Sequence, residues 1–514
     1  MSIPSYIDGY GEVRRFSGAF AAPRESQRAG AQVRSIRPGE TKCLASIRDA
    51  VMACNLKDGA TISFHHHLRD GDDVLRAVMS EIAALGLRDI RVAASSLFPV
   101  HAPLVEHIRS GVVTRIVSSY ITGPVAKAIS AGELPTPAVL QTHGGRARAI
   151  EAGELHIDVA FVAAPAADIY GNLNGVEGKS ACGVLGYPMV DARHADRVVA
   201  ITDTLLDFPL SSIDIAQDLV DYVVRVDSIG DPAKIVSGTT RVTEDPTGLA
   251  IAAMAARVIE ASGLLVDGFS FQTGAGGISL AVAKDIAVAM RDRHVIGSFA
   301  AGGVTEGIVS MFKQGLFRTL FDVQCFDLGA VASYREDKGH LAMSASLYAN
   351  PASKGALVNQ LDVMVLGAAE VDLNFNVNVT AVGGGAIIGG SGGHADTAAG
   401  AKLALVTTRI VAGGNPKIVD AVECVTTPGE TIDVVVTEAG VAVNRQRADL
   451  RARLAAAGIP LVDIERLRDL AADQAEATVR RQVDPTARIV AVVEYRDGTV
   501  IDVVRKRRNL PPGA

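Results

Sequence analysis

The residues with the most chemical capacity in this sequence stand in glycine-dense runs that close apolar segments. Three such runs fall in the second half: Gln272-Thr273-Gly274-Ala275-Gly276-Gly277, Ala301-Gly302-Gly303, and Gly389-Gly390-Ser391-Gly392-Gly393-His394-Ala395-Asp396. Lacking side chains, loops of this kind let backbone N–H groups approach a phosphate or a developing oxyanion. Gly276-Gly277 also opens a helix-like run at Ile278, and a helix N-terminus favours anions. One run alone reads as a tight turn as readily as a binding loop. Three, each ending a strand-like segment of one domain, point to a binding face. Glu306 follows the second run and has two readings. A glutamate there can attack a thioester and hold the acyl group or thiol covalently. Equally, Thr305 can cap a helix over 308–313, with Glu306 an acid favoured by the dipole.

The first half is equipped differently. His65-His66-His67 follows the run 61–64. Adjacent side chains on an extended backbone alternate in direction, so the three cannot share one ion. The His-x-x-x-His spacing of a helical metal site is also missing, and no metal is expected. His66 is either a loop histidine bonded to backbone or part of a site for a polycarboxylate. Arg146, beside the glycine turn Gly144-Gly145, can grip a carboxylate in bidentate fashion. Its other reading is a surface pair with Glu151 or Glu154. Asp168, Asn172, Asp372 and Asn376 follow strand-like runs in both halves. That pattern is duplicated and the glycine loops are not, so a structural role in binding turn N–H groups is expected.

The duplication is itself legible. DVAFVAAPAADIYGNLN (158–174) and DVMVLGAAEVDLNFNVN (362–378) lie 204 residues apart (362 − 158) and share six identities, among them both Asp–Asn pairs. At the same offset Gly111-Val112-Val113 meets Gly315-Leu316-Phe317. Each half alternates short β-branched runs with helical patterns, which implies βαβ units and parallel sheets covered by helices. Ligands of such sheets bind beyond the carboxyl ends of the strands. The expected organisation is an irregular arm (1–40), two related α/β domains (41–235 and 236–445), and a helical and hairpin tail (446–514). The hairpin is signalled by Asp497-Gly498 between two apolar runs.

Bulk properties narrow the function. Apolar residues make up 48% with only 4% aromatic, so the core is Ala, Val, Ile and Leu, suited to strands buried on both faces. The net charge of −7 leaves no basic face for nucleic acid. The terminal Arg505-Lys506-Arg507-Arg508 reads as a solvated tail. Five scattered cysteines, no signal-like leader and no apolar run near the roughly 20 residues of a membrane span set the cytoplasm as the expected location.

SFHHHLRDGD (63–72), QTHGGRARAIEAGE (141–154), ADIYGNLNG (167–175), DVQCFDL (322–328), NFNVNV (374–379) and GGSGGHADTAAGAK (389–402) together resemble the citrate lyase alpha subunit family. ADIYGN and GGSGGHAD are similar, more widely, to the two-domain coenzyme A transferases. The resemblance implies two tandem coenzyme A transferase-like domains and a transferase that exchanges acetate for citrate on the thiol of an acyl-carrier protein. It implies no tightly bound cofactor. The thiol belongs to a phosphoribosyl-dephospho-coenzyme A group on a gamma subunit, for which coenzyme A thioesters substitute, and a beta subunit cleaves the citryl thioester. A homo-oligomer is expected. Gly390 and Gly392 then stand where relatives contact the thioester oxygen. Asn350, Gly389 and Gly393 stand in segments that contact coenzyme A in those relatives, Gly274, Gly276 and Gly277 form the anion-favouring loop expected to hold its nucleotide, and Gly144, Gly145, Arg146 and His66 are placed to hold the acid. The family works through a mixed acid anhydride, whereas covalent transferases carry a catalytic Glu where Glu306 stands. Both routes remain open for this sequence, as do a coenzyme A transferase for another acid and a non-catalytic carrier-docking subunit.

Overall fold

The computed structural model describes residues 3–21, 26–30, 35–236, 240–476 and 483–507. The β-branched runs form strands buried on both faces. All six residues of Val159–Ala164 and all five of Leu403–Thr407 are inaccessible, as parallel strands between helical layers require.

Each half holds one large sheet, and the two sheets share a strand order. In the first, Thr61–Phe64 lies between Val159–Ala164 and Ile90–Ala94. Arg197–Thr202 and Tyr222–Arg225 continue one side, and Val113–Ser118 and Ala138–Leu140 the other. In the second, Ser270–Thr273 lies between Val363–Gly367 and Gly297–Val304. Leu403–Thr407 and Val434–Thr437 follow on one side, and Phe317–Cys325 and His340–Ala342 on the other. All these pairings are parallel, so the fold is α/β with two tandem, duplicated domains.

The repeat extends to side chains. Asp168 accepts the Tyr170 and Asn172 N–H groups and the Asn172 carboxamide. Asp372 accepts the Asn374 and Asn376 N–H groups and the Asn376 carboxamide. Each turn supports a three-stranded sheet, Leu173–Asn174 with Ala166–Asp168 and Leu205–Leu206, or Val377–Asn378 with Glu370–Asp372 and Ile418–Val419.

Residues 446–507 divide between the halves. Helix Ala448–Ala456 packs on Pro246–Ser262, the first helix of the second half. The hairpin Ile489–Glu494 and Val500–Arg505 instead joins the first sheet, parallel to Ala138–Leu140. Arg508 lies outside the described residues. The arm, expected to be irregular, contains a small ribbon, Tyr6–Ile7 with Gly11–Glu12, and Phe16 bonds to Val500 of the hairpin. No helix among the described residues is long and apolar enough to cross a membrane.

Candidate active site

A cavity of about 570 Å³ lies between the halves, where loops from the carboxyl ends of both sets of strands converge. The first half supplies rings and a cation: His66, Arg69, Phe98, Tyr120, His143 and Tyr187. The second supplies the glycine-dense stretches 273–279 and 390–394, with side chains that include Gln324, Phe326, Tyr348 and Met364.

The two sides are stitched together by short bonds. Thr142 bridges Gly392, the His143 N–H donates to the Gly392 carbonyl (2.8 Å), and the Gly392 N–H donates to the Ser119 carbonyl (3.1 Å). Gly392 has φ +52, a region that strains residues with a Cβ. Asp396, just beyond the loop, accepts the Gly144 N–H (2.9 Å) and the Thr142 hydroxyl (2.8 Å). Gly144 has no space for a side chain, since a Cβ there would stand 2.0 Å from the Ala349 carbonyl oxygen.

His66 hydrogen-bonds Ser95 through its N–H and its Nδ1, and its ring packs 4.3 Å from Tyr187 and 5.4 Å from His143. Burial, with His143 and Arg69 adding repulsion, holds its imidazole neutral. The same causes (burial, then Arg146 and Arg69) lower His143 to about 3. Arg69 is 6% exposed and has φ +50. Its guanidinium carbon lies 4.8 Å from the Phe98 ring centroid and 5.4 Å from that of Phe326. Burial lowers it only to about 10, so it is a cation at neutral pH, set in the wall by aromatic faces. At the second-half end, helix Gly277–Asp292 points its N-terminus to the cavity, and Arg409 and Lys417 also line it. Burial lowers the Lys417 ammonium.

Among the residues singled out in the sequence, His66, Gly274, Gly276, Gly277, Gly390, Gly392 and Gly393 line this cavity. Others stand behind it or apart. Arg146 does grip a carboxylate in bidentate fashion, but an internal one: its Nη1 and Nη2 donate to Asp191 at 2.8 and 2.7 Å, with Nη2 also on the Ala93 carbonyl. Burial opposes ionisation of Asp191, yet Arg146 outweighs it and holds the carboxyl well below the usual range. Arg146 is thus committed within the fold. The Gly145 N–H is taken by the Thr142 cap. Asn350 donates across the halves to Glu151 at 3.1 Å, and Gly389 accepts from the Ile121 N–H. Glu306 is exposed at the first position of helix Glu306–Lys313, its N–H on Asp327, its side chain over Gly329 and outside the cavity wall.

Sequence reasoning missed Arg69, Tyr120, Tyr187, Gln272, Gln324, Tyr348, Arg409 and Lys417. Arg69 follows the His65–His67 run in SFHHHLRDGD, and its left-handed backbone has no signature in the sequence. Gln272 donates to the Tyr348 hydroxyl (2.7 Å) and Gln324 to the His66 carbonyl (2.7 Å), contacts between distant residues that no local pattern encodes. Behind Gln324, buried Asp322 accepts from Cys325 (3.1 Å) and lies 3.1 Å from His340 Nε2. This hydrogen-bonded trio lies outside the cavity wall.

A family model for citrate lyase, alpha subunit (CitF), matches residues 40–507. The chain is 46% identical to the citrate lyase alpha chain of Escherichia coli K12 over 493 residues, 96% of each protein. It is 45% identical to that of Klebsiella pneumoniae over 470 residues, 91% of this chain and 92% of the other. The crystal structure of the Streptococcus mutans citrate lyase alpha subunit in complex with citrate superposes with a TM-score of 0.94 at 46% identity, covering 99% of both chains. A Pseudomonas malonate decarboxylase hetero-tetramer chain, 18% identical with a TM-score of 0.63 over 85% of this chain and 86% of its own, shares the fold alone. This chain therefore belongs to the citrate lyase alpha subunit family, the transferase component of citrate lyase.

Proposed function

We propose that the cavity between the halves is where acetate is exchanged for citrate on an acyl thioester, by way of a mixed anhydride. The observation that carries this reading is the pairing of a buried cation, Arg69, with a facing wall of glycine backbone in one cavity. A citrate carboxylate held by Arg69 attacks the acetyl thioester carbonyl. The C–S bond breaks and the thiolate leaves, giving an acetyl–citryl anhydride. The thiolate then attacks the citryl carbonyl, the C–O bond breaks, and acetate departs. Each step passes through a tetrahedral oxyanion, which preorganised donors stabilise far more than water does. Candidate donors are the backbone N–H groups of Gly390, Ser391 and Gly393 and the Tyr348 hydroxyl beside Gly393. The Gly392 N–H is already given to Ser119, so Gly392 shapes the loop rather than donating.

Citrate fits the Arg69 end because a multiply charged acid needs a desolvated cation. Citrate in the Streptococcus mutans relative supports that choice. The thioester arm fits the other end, where the N-terminus of Gly277–Asp292 and Lys417 offer positive potential to phosphate and Arg409 is ion-paired with Asp245. We assign that arm to the phosphoribosyl-dephospho-coenzyme A group of an acyl-carrier gamma subunit, with a beta subunit cleaving the citryl thioester and no resident cofactor in this chain. The exposed place of Glu306, away from the cavity wall, favours the anhydride over a glutamyl thioester. Purified protein incubated with acetyl-coenzyme A and a panel of di- and tricarboxylic acids should yield citryl-coenzyme A by mass spectrometry. Preference for another acid, or no new thioester, would reject the reading.

A further inference from the structure

The C-terminal hairpin reaches the site. Its turn places Arg496 Nε 3.8 Å from the Asp396 carboxylate, and its Nη2 3.5 Å from the Ala349 carbonyl that abuts Gly144. Arg496 is 8% exposed and its Nε has no hydrogen-bond partner, so what it offers Asp396 is charge. We propose that Asp396 and Arg496 form a positioning pair, fastening His143 of the first half to the glycine loop of the second and making the hairpin part of the reaction site.

Asp396 is fully buried and receives two donors, the Thr142 hydroxyl and the Gly144 N–H, from either side of His143. It also sits in the first turn of helix His394–Gly400, directly after Gly389–Gly393 in the chain. Holding both neighbours of His143 fixes where its ring enters the cavity, and holding the helix fixes the loop. Gly144 and Thr142 donate to different oxygens, an arrangement in which both oxygens accept when the carboxyl is ionised. Burial raises it to about 6 even though Arg496, the Gly144 N–H and the Thr142 hydroxyl all pull it down. The titratable groups that face it are the Tyr187, Tyr348 and Tyr495 phenols, all kept neutral by burial, together with Arg496. Removing the Arg496 charge therefore lets Asp396 take a proton nearer neutrality. The neutral carboxyl then holds Gly144 without charge assistance and meets Thr142 only if that hydroxyl turns to accept, so the clamp on either side of His143 loosens.

This inference rests on the proposed transferase reading, and one experiment separates the two. Citrate–acetyl thioester exchange is measured from about pH 6 to pH 8.5 for the wild type, Arg496→Gln, Arg496→Lys and Asp396→Asn. A shift of one pKa unit is a tenfold change in the ionised fraction below the pKa. With Asp396 at about 6, a one-unit rise makes Arg496→Gln lose about fivefold in kcat at pH 6, recover as the pH rises, and leave the citrate KM within about threefold. Arg496→Lys should restore the wild-type profile. Asp396→Asn keeps an acceptor for Gly144 and should lack the acid limb altogether. Hydrogen–deuterium exchange should rise in peptides 142–146 and 390–396 of Arg496→Gln at acid pH. A Gln variant that matches the wild type throughout, or a deficit that neither high pH nor Lys relieves, overturns the positioning role. If Arg496→Gln does not fold, persistence of the acid limb in Asp396→Asn overturns it. A wild type that exchanges no acid rejects the transferase reading instead.

Discussion

The two halves carry one topology and two chemistries. Strand order, the Asp–Asn turns (204 residues apart, 372 − 168) and the small three-stranded sheets recur in both halves, whereas the glycine-dense loops of the cavity wall come from the second half alone and the His66–Arg69 cluster from the first. What was copied holds the fold, and what diverged faces the cavity. A pocket between such halves is asymmetric by construction. One wall can fix a small, highly charged acid while the other leaves room for a thioester carbonyl and its arm.

Gly392→Val should break the divergent wall most severely. A β-branched residue at φ +52 is strained, and its Cβ would stand 3.3 Å from His143 Nε2. Displacing the loop from its oxyanion donors should lower exchange on the order of 100-fold or more, read as kcat with melting temperature in parallel. An active Gly392→Val would remove the loop from the chemistry. The next effect belongs to the opposite wall. Arg69→Met keeps much of the side-chain volume against Phe98 and Phe326 and removes the charge. Charge-assisted hydrogen bonds are worth about 1.5–3 kcal/mol, so the citrate KM should rise roughly 10- to 100-fold. The KM for acetyl-coenzyme A should hold, because that arm uses the other end. Equal changes in both would abolish the division of labour.

Copied residues should behave as a matched pair. Asp168→Ala and Asp372→Ala each remove a carboxylate that satisfies two backbone N–H groups and one carboxamide of its own turn, Asp372 also taking the Val422 N–H. Each should cost about 1–3 kcal/mol in denaturant unfolding while the folded fraction keeps its exchange rate. A selective loss of activity in one of them would give that turn a role beyond the repeat.

The matched pair also marks what the sequence made legible. Periodicity and the internal copy give the α/β class, the strand runs and the Asp–Asn turns, because those depend on neighbours a few residues apart. The glycine runs locate one wall of the cavity. Arg146 shows where local reasoning stops. An arginine beside a glycine turn offers a bidentate grip for a substrate acid or for Glu151 or Glu154, but Asp191, 45 residues on and fully buried, takes it. Which carboxylate an arginine meets is decided by packing. The rings that make the other wall, Phe98, Tyr120 and Tyr187, meet only when separate loops fold together, so no motif announces them. The hairpin has the same history: its turn was readable, its edge in the first sheet was not.

Glu306 is where the comparison predicts least effect, and where an error would cost it most. In sequence Glu306 has the place of a covalent nucleophile, after a strand and a glycine pair. In the structure it begins an exposed helix, its side chain lies over Gly329 on the next helix, and its N–H is held by Asp327 at 2.7 Å. To attack a thioester in the cavity it would have to leave that helix terminus. Glu306→Gln should therefore retain exchange within about twofold and lose only a helix-dipole contribution, about 0.3–1 kcal/mol in stability. Borohydride treatment during turnover should leave the peptide containing Glu306 at its unmodified mass. The covalent route requires the opposite: exchange falling by orders of magnitude and a reduced glutamyl adduct on that peptide. Because the wild type supplies the adduct measurement, the result does not hinge on how the variant folds. An adduct would move the reacting carboxylate from the substrate to the protein, and the second half would then supply the nucleophile as well as the backbone wall.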